Sequence, residues 1–213
     1  MSETAVSDLP PKLRQLALKA RDALAHQQDD LVLELSAEIL RENPGCLGVR
    51  RLQRTAHVRR DSSGPAFTRK ARGAVTRAGF LLRRKKTPQG DSAIAQAEAI
   101  LAVDPWSRAG LMQLAGAAAA MNLPGTAIFA WECLVEALPD DREAGLGLAQ
   151  ARLSEGNHAE ALTAVEAVLR QHPRDGEALA VKRQVSVAAT IKKGQWDSSD
   201  SFRGKLRDSE ESN

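Results

Sequence analysis

Residues 142–175 read REAGLGLAQARLSEGNHAEALTAVEAVLRQHPRD, and the folding of this stretch decides how the rest is understood. Apolar side chains fall at helical spacing at Leu146, Leu148, Ala149 and Leu153, ahead of a turn at Glu155-Gly156-Asn157. A second run passes from Ala161 through Val165, Val168 and Leu169 to Pro173. Gly156 suits a left-handed cap on the first helix. Pro173 ends the second, because it has no N–H and restrains the residue before it. The stretch predicts a helical hairpin.

The pattern recurs upstream. Pro105, Pro139 and Pro173 are spaced 34 residues apart, and twelve residues before each stands Ala93, Ala127 or Ala161. Between alanine and proline, the helical apolar positions are Ala97, Ile100 and Leu101 in one unit, and Trp131, Leu134 and Val135 in the next. In 108–141 the first helix runs Leu111-Met112-Gln113-Leu114-Ala115-Gly116 and on through Ala120. Asn122 takes its turn, and Pro124 suits the first turn of the following helix. A single hairpin cannot bury its apolar face alone, so such units stack and share a core. Ala127 and Ala161 are expected where two helices approach most closely, and overpacking such a site should cost about 1–3 kcal/mol.

The run Glu143-Ala-Gly-Leu-Gly-Leu-Ala, then Gly156-Asn-His-Ala-Glu-Ala-Leu, then Ala164-Val-Glu-Ala-Val-Leu to Pro173, resembles a tetratricopeptide repeat. The unit 108–141 resembles it nearly as well, and 74–107 does so in its second helix. Gly145 stands where the family often has Trp, and Arg152 where it often has Tyr. The resemblance is to bacterial members and covers about residues 90–193. It implies an all-α fold, a right-handed superhelix of antiparallel helical hairpins. It also implies a protein-interaction scaffold whose first helices line a groove, here at Met112, Gly116, Ala120, Leu146, Gln150, Leu153 and Gln184. Some members clamp a carboxylate-ended peptide there with Lys, Arg and Asn. The two best repeats have none of these types at those positions, so a helical or extended apolar segment is the expected ligand. Filling of the same surface by the chain's own N-terminal helices is the competing expectation.

Composition agrees with helices. The chain of 213 residues holds 36 Ala, no Tyr and 3% aromatics, which disfavours an all-β fold. Residues 7–44 read as another hairpin. Pro10-Pro11 open a helix through Leu16, Leu18, Ala20 and Leu24, Gln27 to Asp30 turn, and Leu31, Leu33, Leu35, Ile39 and Leu40 mark a second helix ended by Pro44. The expected division is a degenerate helical repeat over 1–60, a loop and long basic helix over 61–89, the array with a capping helix over 90–193, and a tail over 194–213. In the tail, Trp196, Phe202 and Leu206 could dock back, serve as a short motif or do neither.

Charge is uneven. From Arg50 to Lys86 there are 13 Lys and Arg against the single acid Asp61, whereas 87–175 carries 5 basic and 12 acidic residues. The basic patch comprises Arg69, Lys70, Arg72, Arg77, Arg83, Arg84, Lys85 and Lys86. Three readings stay open: a solvated face or an internal match to the acidic array, a nucleic-acid backbone, or an anionic membrane surface. A basic adaptor acting through residues 50–86 is therefore the alternative to the scaffold.

Catalytic motifs are not found. His26, His57, His158 and His172 form no helical metal pair, and there is no phosphate loop or nucleophile elbow. Asp140, Asp141 and Glu143 suit a helix N-terminus. Cys46 and Cys133 are far apart in apolar surroundings and are expected as reduced, packed thiols. No enzyme, metal, cofactor or small-molecule substrate is expected. Met1 to Leu9 lacks the apolar core of a signal peptide, so the expected location is the cytoplasm, with a peripheral membrane site under the alternative. The oligomeric state is not readable.

Overall fold

The helix signals read above recur in the backbone at the same period. A computed structural model describes residues 2–62 and 91–191. They divide between two compact units, Met1–Leu138 and Pro139–Asn213. The architecture is all-α, built of repeated helical hairpins, with no strand among the described residues.

In the first unit a 3-10 turn, Val6–Asp8, precedes α1 (Pro11–Ala25), α2 (Asp29–Glu42), α3 (Leu47–Ser62), α4 (Asp91–Val103), α5 (Arg108–Ala120) and α6 (Pro124–Ala137). The second unit holds α7 (Arg142–Ser154), α8 (His158–Gln171) and α9, residues 176–191. Pro11 and Pro124 occupy the first helical turn, where a missing N–H loses nothing. Asn122 and Gly156, one period apart, both turn the chain through positive φ, 58° and 71°. For Gly156 that conformation carries no steric penalty.

A third recurrent device lies at the start of the first helices. Ser107 accepts the Gly110 N–H at 3.4 Å, Asp141 the Ala144 N–H at 2.9 Å, and Asp175 the Ala178 N–H at 2.9 Å. The three caps are spaced by the same 34 residues. Each satisfies a helix N–H that would otherwise lack a partner, worth about 1 kcal/mol.

Within the first unit α1 packs on α2, α2 on α3, α4 on α5 and α5 on α6. One apolar cluster gathers Leu9, Leu13, Ala17, Ile39, Leu40, Cys46 and Val49. The face that α2 buries differs from the expected one. Val32 and Ser36 point inward, while Leu31 is 40% exposed. Leu18 of α1 is likewise exposed, and Leu13, Ala17, Ala20 and Ala23 form its buried face. The turn is also shorter than expected, since helix resumes at Asp29. In the second unit α7, α8 and α9 share a core of Leu146, Ala149, Ala161, Val165, Val168, Ala178, Val181 and Val185. The repeat alanines Ala93, Ala127 and Ala161 are all buried.

Candidate functional site

The second unit is closed by packing inside and by charge at its rim. Gly145 lets α7 come close to α8, because a Cβ there would lie 2.4 Å from Val168 Cγ2. This accounts for the missing Trp at that repeat position: the space is taken by a neighbouring valine. Arg142 binds Asp175 and reaches Glu177 Oε2 at 2.8 Å. The Arg142 guanidinium, together with the Ala178 N–H, holds the Asp175 carboxyl well below the usual carboxylate range. Gln171 donates to Asp140 at 2.6 Å, and Lys182 pairs with Glu166 at 2.8 Å.

The groove positions separate by burial. Leu146 is 4% exposed and lies in the core of its unit, and Leu153 packs against that core. Leu146 therefore supports the fold, enclosed by side chains of α8 and α9, whereas Leu153 is only half-buried. Gln150 and Gln184 are exposed. In the first unit Met112 is half-buried, Gly116 and Ala120 are exposed, and a Cβ added at Gly116 would meet nothing within 4 Å. Residues 112, 116 and 120 share one face of α5 by their spacing of four.

The first unit carries contacts that no motif announced. The Thr4 N–H donates to the Gly45 carbonyl at 3.1 Å. Beside it, the Glu3 carboxylate accepts the Thr126 N–H at 2.5 Å, at the N-terminus of α6. A carboxylate there complements the helix dipole. The arginines of α3 find partners within the unit. Arg50 pairs with Glu98 of α4. Arg51 lies over Phe129 at 5.8 Å, and Arg54 lies over Trp106 at 4.6 Å while donating to the Pro105 carbonyl. Arg59 pairs with Asp29 at 3.3 Å and Arg60 with Asp30 at 3.2 Å. Five cations of the basic stretch are thus engaged within the unit. Burial, then the charges of Arg60 and Arg54, lowers His57 to about 4. The eight residues from Arg69 to Lys86, and Trp196, Phe202 and Leu206, lie outside the described residues.

Sequence reasoning missed Glu3, Arg50, Arg54 and the Arg142–Asp175 pair. The caps could have been found from their 34-residue spacing. For Glu3 no local signal exists, because its partner is 123 residues away. Both cysteines are buried thiols, and burial raises each above its ordinary range. Among the described residues no cluster of His, Cys, Asp and Glu could hold a metal, and no helix is long and apolar enough to cross a membrane.

Comparison with known proteins follows the hairpins. The tetratricopeptide repeat family model matches residues 124–185. Among solved structures, similarity is found to the TPR2AB-domain:pHSP90 complex of yeast Sti1, with 14% identity, a TM-score of 0.42, and coverage of 82% of this chain and 69% of that one. It is also found to a thermophilic TPR protein of Thermus thermophilus, with 22% identity, a TM-score of 0.39, and coverage of 87% and 85%. No curated protein matches. Proteins of this family act in general as scaffolds for protein–protein interaction and are typically non-catalytic. Residues 124–185, with their period, caps and hairpin turns, thus match the tetratricopeptide repeat family.

Proposed function

We propose that the chain is a non-catalytic scaffold that holds an apolar helical or extended segment of a protein partner. The observation that carries this is the α5 surface. Its Met112, Gly116 and Ala120 lie on one face, and Gly116 opens onto free space. Such a face of small side chains with one adaptable methionine admits close approach of another backbone. In the second unit the exposed Gln150 and Gln184 are the corresponding contacts. Leu146 and Leu153 support these positions from beneath.

The test is a pull-down from native lysate with the tagged chain and its Gly116→Arg and Gln150→Arg variants. Both substitutions sit at exposed positions, so the helices should stay intact by circular dichroism. A discrete protein retained by the parent chain and lost from the variants supports the proposal. Equal retention by all three chains refutes it.

A second proposal rests on the charge of the segment 50–86. With five of its cations engaged within the first unit, the eight from Arg69 to Lys86 would provide a polyanion contact. Capture of nucleic acid or anionic vesicles should then weaken steeply with salt. A flat salt response would exclude it.

A further inference from the structure

Two arginines on α3 bring two positive charges to one cavity of the first unit, against a single acid, Glu98, on its described wall. Arg50 is 2% exposed. It gives one amino group to Glu98 and the other to the Pro44 carbonyl at 2.6 Å, while its Nε is buried with no acceptor. One turn on, Arg54 gives Nη1 to the Pro105 carbonyl and stacks on Trp106, and its Nη2 is also buried with no acceptor. Both arginines border a cavity of about 30 Å³, whose wall includes His57, Leu114 and Phe129. Glu98 is the one acidic residue among the described residues lining it, and Arg50 already holds Glu98.

The surrounding groups do not supply the missing charge. The Cys133 thiol shares a side-chain hydrogen bond with Arg54 but is kept neutral by burial, so it supplies no charge, and Glu132 and Glu136 act on Cys133 without bordering the cavity. His57 can add positive charge only. A water molecule would fit and would satisfy donors, but it would leave the guanidinium charge uncompensated. A buried charge is retained at low penalty when an opposite charge meets it. We infer that this cavity binds one small monovalent anion of halide size, held by Arg50 Nε and Arg54 Nη2. Its place among α3, α4, α5 and α6 would make it a pin joining α3 to the following hairpin. This site is independent of the partner surface on α5.

The probe is bromide, which replaces chloride and is located by anomalous diffraction. Crystals of the full chain grown with sodium bromide should show a peak within hydrogen-bond reach of both arginines. The Arg54→Gln chain should lose that peak. Its chloride affinity, followed by chloride NMR line broadening, should fall about tenfold or more, the size expected for losing a hydrogen bond to a charged group. If Arg54→Gln does not fold, Arg54→Lys takes its place, since it keeps the charge and loses the planar fork. A parent crystal with only water in the cavity overturns the inference. So does a peak that persists unchanged in the variant, which would mean an adventitious ion only.

Discussion

The α3 region of the first unit and the α7–α9 region of the second use the same residue types in opposite places. In the second unit Leu, Val and Ala fill the interior, and arginine works at the rim, where Arg142 joins partners 33 and 35 residues away. Exposed pairs of that kind contribute little, about 0–1 kcal/mol each. In the first unit arginine is part of the interior. Arg50 and Arg54 reach partners 48 and 51 residues along the chain, and aromatic rings lie beneath Arg51 and Arg54. A regular repeat closes on its neighbours through shape. A degenerate one is fastened by a few long-range polar contacts, and its stability should be concentrated in them.

That contrast can be broken at Arg50. Replacing it with Ala should strand Glu98 and the Pro44 carbonyl and destabilise the first unit by about 3–5 kcal/mol, the range for breaking a buried pair. Urea unfolding of the parent and variant measures this. A loss below about 1 kcal/mol, the surface-pair range, would show that the two regions are fastened alike.

Acid should separate the regions next. The pKa of His57 is lowered from 6.5 to about 4, so the unfolded chain takes up its proton more readily than the folded one. Its contribution is therefore complete above pH 6.5 and is lost as pH falls from 6.5 toward 4. Asp175 is depressed from 3.8, so its contribution is present above about that pH and is lost below it, as pH falls through the folded value. Urea midpoints measured from pH 7 to 3 should show an upper window abolished by His57→Asn and a lower one reduced by Asp175→Asn. Loss of the upper window in the Asp175 variant alone would reverse the assignment.

Smaller effects sharpen the account of packing. Gly145→Ala should destabilise the second unit by about 1 kcal/mol. The contact with Val168 costs about 1–3 kcal/mol, offset by the helix preference of alanine. Adding Val168→Ala should remove the contact penalty, so the effect of the Gly145 change measured in that background should reverse sign. Gly116→Ala, made where a Cβ meets nothing, should instead stabilise by about 0.5–1 kcal/mol. Thermal unfolding of both single variants checks that opposite signs arise from one chemical change.

Much of the helix layout could be read before any tertiary contact was known. Pro105, Pro139 and Pro173, the buried alanines 93, 127 and 161, and the turns at Asn122 and Gly156 act through backbone geometry and helical spacing. The buried face of α2 could not be read in the same way. Leu31 and Val32 are adjacent and both apolar, and packing against α1 and α3 chose Val32. The surface was harder still. Leu146 occupies a position the family resemblance assigns to the groove, yet α8 and α9 enclose it. Gln150, on the same helix, is left outside.

Residue spacing is enough to establish an all-α repeat protein, the positions of most of its hairpin turns and an uneven distribution of charge. Those properties depend on residues a few positions apart and on a period that repeats them. Packing, by contrast, makes Arg50 and Arg54 of the basic stretch interior groups, lets Glu3 cap a helix 123 residues away, and leaves a small cavity bordered by both arginines. Such contacts join segments distant in the chain, and their partners are selected by how helices pack rather than by any local spacing.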